Sequence, residues 1–169
     1  MRLKTSLFLA IITLSFSSCG GKFPYSFTGA KIDAKTIQID YFPNNANLVE
    51  PTLSQNFTVA LQDLFLQQSN LTLVKNEGEL QFAGEIIDYR ILPTAATAEQ
   101  TAALNRLTIK VKVRFYNNLN EEDNFEKTFS HFYDFEANQQ LVGSTLEDAF
   151  SEIFERITQD IFNASVANW

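Results

Sequence analysis

The sequence predicts an α+β fold, a two-layer sandwich in which two amphipathic helices pack on one face of a four- to five-stranded mixed sheet. Two segments, 53–64 and 146–161, space their apolar residues at helical intervals, while other segments alternate apolar and polar residues with a period of two. Their order is β-α-β-β-β-β-α, which is neither a repeating βα unit nor an all-strand chain. A composition of 45% apolar and 20% charged residues, with six Gly and four Pro in 169 residues, excludes global disorder and low-complexity architecture.

Taken in order, Thr36 to Phe42 alternates, with Ile37, Ile39 and Tyr41 facing the core and Gln38 and Asp40 facing away, until Pro43, Asn44 and Asn45 stop the strand. Pro51 and Thr52 open a helix whose Leu53, Phe57, Ala60, Leu61 and Leu64 form one stripe, and Thr52 with Gln55 matches a capping box. Leu71 to Lys75 reads as a second strand, closed by the turn signal Asn76-Glu77-Gly78. Leu80 to Leu92 reads as a third, stopped by Pro93. The small and polar residues from Pro93 to Asn105 form a long loop or a helical turn.

The fourth strand has the clearest pattern. Leu107, Ile109, Val111, Val113 and Phe115 share one face, and Arg106, Thr108, Lys110, Lys112, Arg114 and Tyr116 share the other. A turn near Asn117 to Asn120 leads into a fifth strand, Phe125 to Phe135, as a hairpin. Ser144 with Glu147 matches a second capping box. It opens a helix whose Leu146, Ala149, Phe150, Ile153, Ile157 and Ile161 make one apolar stripe. Phe57, Phe115, Phe129 and Phe150 all fall on the faces assigned to the core.

The N-terminus reads as an export signal. Arg2 and Lys4 precede an apolar run, Leu7 to Leu14, that is shorter than the ~20 residues a membrane span needs, and small residues lead to Cys19 in the string SFSSCGG. That string resembles a bacterial lipoprotein signal. The expected organisation is a signal peptide over 1–18, a lipidated Cys19 with a tether over 19–30, and one α/β domain over 31–169. Two or three acyl chains on Cys19 would anchor the chain stably, since each buried methylene contributes about 0.8 kcal/mol. The aromatic residues Phe23, Tyr25 and Phe27 of the tether are expected to rest on the domain, a partner or the lipid surface.

Several chemistries are excluded. One Cys and one His build neither an internal disulfide nor the common Cys/His zinc sites, and a net charge of −7 opposes nucleic-acid binding. No Gly-rich phosphate loop or G-x-S-x-G elbow is present. His131 lies in a strand without a nucleophile motif, and Glu121, Glu122 and Asp123 suit a solvated turn better than a calcium loop. No catalytic residue, metal or cofactor is expected. Against the acidic total, Arg106, Lys110, Lys112 and Arg114 place four cations on one strand face, about 6.6 to 7 Å apart per two residues. Such a row suits phosphates and carboxylates. It equally suits a solvated strand whose cations pair across to Glu126 or Asp88.

The lipoprotein cysteine, the element order, and the strings YSFTGA, TIQIDYFPN, PTLSQNFT, ALNRLTIKVKVRF and DIFNASVANW together resemble the lipopolysaccharide (LPS)-assembly lipoproteins of the LptE-like family, over nearly the whole chain beyond the signal. The resemblance implies a non-enzymatic outer-membrane lipoprotein, lipid-anchored on the periplasmic side. It also implies an accessory plug inside the LptD-like β-barrel of the LPS translocon, which it helps assemble, and contact with LPS during transport. It supplies no contact positions, so the LPS-binding nomination of Arg106, Lys110, Lys112 and Arg114 rests on their charge. An auxiliary subunit of another envelope lipid transporter is the alternative.

Overall fold

A computed structural model describes residues 34–94 and 103–166; the export signal, Cys19, the tether and most of the 93–105 loop lie outside the described residues. The elements are β1 (Thr36–Ile39), α1 (Leu53–Gln68), β2 (Thr72–Val74), β3 (Leu80–Thr94), β4 (Leu104–Asn117), a 3-10 turn (Glu121–Asp123), β5 (Phe125–Glu136) and α2 (Ser144–Ser165). This is the expected β-α-β-β-β-β-α order. The five strands form one sheet in the order β2-β1-β3-β4-β5. β1 runs parallel to β2 and to β3, and β3, β4 and β5 are successively antiparallel.

Both helices cover the same sheet face. Phe57 meets Phe154 at 5.5 Å between ring centroids and Phe65 meets Phe162 at 5.1 Å. Each step is eight residues in the same direction, so α1 and α2 lie side by side and parallel. Phe65 also meets Phe82 of β3 at 4.9 Å, which meets Phe115 of β4 at 4.8 Å, so an aromatic chain ties helices to sheet. Leu53, Phe57, Leu61, Ile153, Ile157 and Ile161 are fully buried, as the helical spacing requires. Phe65, one turn beyond Leu61, extends the first stripe and is fully buried as well.

Four expectations are corrected. The alternation of the first strand breaks at Asp40: Tyr41 is 57% exposed and Phe42 fully buried. The strand ends at Ile39, and the chain rejoins β3 through an Asn44–Ile86 bridge, so the next inward residue comes three positions after Ile39 instead of two. Neither capping box forms. Thr52 has helical φ and ψ and its hydroxyl donates to Glu50 Oε1 at 2.9 Å, while the cap of α2 is Gly143, at φ 56°, with Ser144 already inside the helix. Pro93 does not end β3, which continues to Thr94. There β3 has β4 on one side and no other strand, so proline's missing N–H costs no ladder bond.

A bulge at Ile87 sets the register of β3. Ile86 faces Val111 and Asp88 faces Lys110, leaving Ile87 as the extra residue. Without it, Asp88 would point into the core. The bulge reverses the phase, so Asp88 joins the open face and Tyr89 is buried.

Candidate interaction face

The sheet face away from the helices is uncovered among the described residues, and the cation row lies on it. β4 alternates strictly there: Leu107, Ile109, Val111, Val113 and Phe115 are buried while Arg106, Lys110, Lys112 and Arg114 keep side chains 34% to 39% exposed. The four nominated residues are thus brought together on one surface.

Each has a carboxylate partner on a neighbouring strand. Arg106 makes a bidentate pair with the directly opposite Asp134 of β5, Nε to Oδ1 and Nη2 to Oδ2, both at 2.7 Å. Its guanidinium also lies 3.6 Å from the Phe132 ring centroid. Hydrogen bonding to Asp134 raises the Arg106 pKa further above its ordinary value. Lys112 reaches diagonally to Glu126 of β5 at 2.7 Å. Toward β3 the contacts are looser: Lys110 sits 3.7 Å from the opposite Asp88, and Arg114 sits 3.7 Å from Glu85. Asp88 is shared with Arg90 at 3.4 Å.

The face is therefore a charge lattice three strands wide. Glu126 and Asp88 were anticipated as cross-strand partners, but Glu85, Asp134 and the stacked Phe132 were not. Asp134 shares the even parity of Glu126 on β5, but Glu85 and Asp88 of β3 stand three residues apart and reach one face only through the bulge, so pairing depends on register. Ile87, Leu92, Tyr116 and Phe132 add exposed apolar surface among the charges.

His131 turns to the other side, where its Nε2 lies 2.9 Å from Asp160 Oδ2 of α2. Glu121, Glu122 and Asp123 occupy the exposed 3-10 turn, and Asp123 Oδ2 accepts a hydrogen bond from Asn117. Among the described residues no three His, Cys, Asp or Glu side chains are grouped to hold a metal ion. No helix among them is long and apolar enough to cross a membrane. Cys19 lies outside the described residues.

The fold is a layered α+β domain with a broad charged sheet face. The chain belongs to the LptE family, described as lipopolysaccharide-assembly, whose family model matches residues 34–165. The fold is similar to that of a hypothetical protein from Chlamydia trachomatis, at 10% identity and a TM-score of 0.54, over 80% of this chain and 99% of that one. It is similar also to a minor lipoprotein from Acinetobacter baumannii, at 10% identity and a TM-score of 0.52, over 80% and 94%. At these identities the likeness is one of fold. No curated protein matches the chain.

Proposed function

We propose that this protein is an outer-membrane lipoprotein, anchored on the periplasmic side through acylated Cys19, that serves the LPS translocon as an accessory subunit. In this reading it seats inside the translocon's β-barrel partner, helps that barrel assemble, and touches LPS in transit. It acts by contact and carries out no reaction. Family membership supports the pathway, and the charged sheet face is the observation that carries the contact. A polar face suits a polar barrel lumen, and Arg106, Lys110, Lys112 and Arg114 are the proposed LPS-contacting cations. Their partners make the contact an exchange. A phosphate approaching the face competes with Asp88 for Lys110 and with Glu85 for Arg114, where the ion pairs are longest. Arg106, held bidentately by Asp134, mainly orders the face.

The test is isolation of the tagged chain from native envelopes under mild detergent, with intact mass analysis of its N-terminus and its partners. Copurification with a large outer-membrane β-barrel and a diacylglyceryl mass on Cys19 are expected. Recovery only as a free monomer would reject the subunit role, and an unmodified thiol would reject the anchor. Depletion separates the alternative: stalled LPS supports this reading, and misplaced phospholipid with normal LPS export rejects it.

A further inference from the structure

β5 is the last strand of the sheet, and its outer edge has no strand beside it among the described residues. Protein edges are ordinarily kept short, charged, bulged or interrupted by proline, because unpaired N–H and C=O groups recruit other chains. The opposite edge follows this rule, since β2 has three residues. β5 keeps only the charge, as in Glu126, Lys127 and Asp134; it runs for 12 residues in unbroken register with β4, without a bulge or a proline.

The ladder identifies its free groups. The Ala137 N–H donates to the Ala103 carbonyl at 3.0 Å, in the same register that sets Leu104 opposite Glu136. Bonded and non-bonded pairs alternate along an antiparallel ladder. The odd-numbered residues of β5 therefore bond to β4, and the even-numbered residues turn their backbone groups outward. Thr128, Ser130, Phe132 and Asp134 present donors and acceptors that no hydrogen bond among the described residues uses.

Alongside this edge, under α2, lie two open grooves of about 350 and 420 Å³ that share Asp160 as a lining residue. Glu152, Glu155 and Asp160 make the helix rim of the first groove acidic, whereas the second is lined by Lys127, whose Nζ lies 5.7 Å from the Phe129 ring centroid, as well as by Asp160. Arg156 holds Glu152 at 3.2 Å and His131 contacts Asp160, but the Glu155 carboxylate has no ion pair among the described residues. An open backbone edge beside a charged groove is the arrangement in which an added strand gains affinity from main-chain bonds and selectivity from alternate side chains.

We propose that the β5 edge is a strand-acceptor site, which binds an extended segment of a partner polypeptide as a sixth strand, with that segment's alternate basic side chains in the acidic groove. A second copy of this chain is a poor occupant, because edge-to-edge pairing would set two acidic rims against each other. The site is independent of the LPS reading, since the groove is on the helix-covered side and the cation row on the open face.

The experiment adds a synthetic peptide alternating valine and lysine to the full chain and follows amide exchange and peptide affinity. Slowed exchange at Thr128, Ser130 and Phe132 is expected. Methylating the peptide's backbone nitrogens along one edge, or replacing its lysines by glutamate, should weaken binding by about tenfold or more. These comparisons use the unaltered chain, so folding does not confound them. Ser130→Pro removes an outward N–H without a β4 bond and should weaken the peptide further, with the unfolding midpoint recording its fold. Equal binding of the methylated peptide, protection elsewhere than β5, or no binding overturns the proposal. Self-association that protects the same amides without peptide also overturns it, in favour of a second copy.

Discussion

At the residue scale, Gly84 and Glu79 show how single groups fix the chain path. A Cβ at Gly84 would collide with the Lys112 carbonyl and with the Phe42 ring, so glycine in mid-strand gives Phe42 its place over β3. Gly84→Ala should cost about 1 to 3 kcal/mol by overpacking, read as a lower denaturant midpoint with unchanged slope; an unaltered midpoint would mean that Phe42 packs elsewhere. The sequence shows why such a residue escapes notice. Alternation assigned Tyr41 to the core, and no period-two rule registers that the strand ends at Ile39 and the chain swings inward again at Phe42. Glu79 acts through charge: its carboxylate accepts the backbone N–H groups of Lys35 and, at 3.2 Å, Thr36, and the Lys35 bond foremost holds its pKa below the ordinary value. Because folding lowers that pKa, the stabilisation is complete above the ordinary carboxylate range and is lost as pH falls through the folded value. Glu79→Gln should therefore flatten the decline of the thermal midpoint on acidification, and an identical decline in both proteins would remove Glu79 from that role.

At the element scale, the helices were legible through their stripes and misleading through their ends. A stripe is a collective property, repeated at every turn, and tertiary burial selects the same residues that the spacing marks. A cap depends on the φ and ψ of one residue. Gly143, in the left-handed half of φ space, turns the chain into α2 and takes the capping position that Ser144 would have needed. Ser144→Ala should accordingly shift stability by less than about 0.5 kcal/mol, the range of exposed sites without special contacts. Leu61→Ala and Ile153→Ala, both fully buried, should each cost about 2 to 5 kcal/mol. Urea unfolding of the three variants distinguishes the assignments, and a Ser144→Ala loss of about 1 kcal/mol or more would restore the capping box. The same contrast holds in the sheet: β4, with no interruption, was read residue by residue, whereas the phase of β3 reverses at a bulge marked only by the Ile86–Ile87 doublet.

At the scale of the whole molecule, the cations were legible and their environment was not, because parity along one strand locates a row and only register locates its partners. The acidic chain gathers five cations, Arg90 with the β4 row, into a lattice with Glu85, Asp88, Glu126 and Asp134. If the proposed LPS contact is an exchange, the acids are competitors as well as partners, and removing them should have the opposite sign from removing the cations. Lys110→Glu with Lys112→Glu should weaken LPS binding, whereas Glu85→Gln with Asp88→Asn should tighten it. Partly exposed pairs are worth about 0.2 to 1 kcal/mol each, so each double variant should move affinity by a few-fold to about tenfold. Both differences should shrink as salt rises from about 0.05 to 0.5 M, while unfolding midpoints change little. A purely structural lattice predicts another pattern: both double variants lose stability and neither changes LPS affinity. That outcome would leave the four cations as cross-strand ties and move the search for the LPS contact to the rest of the chain.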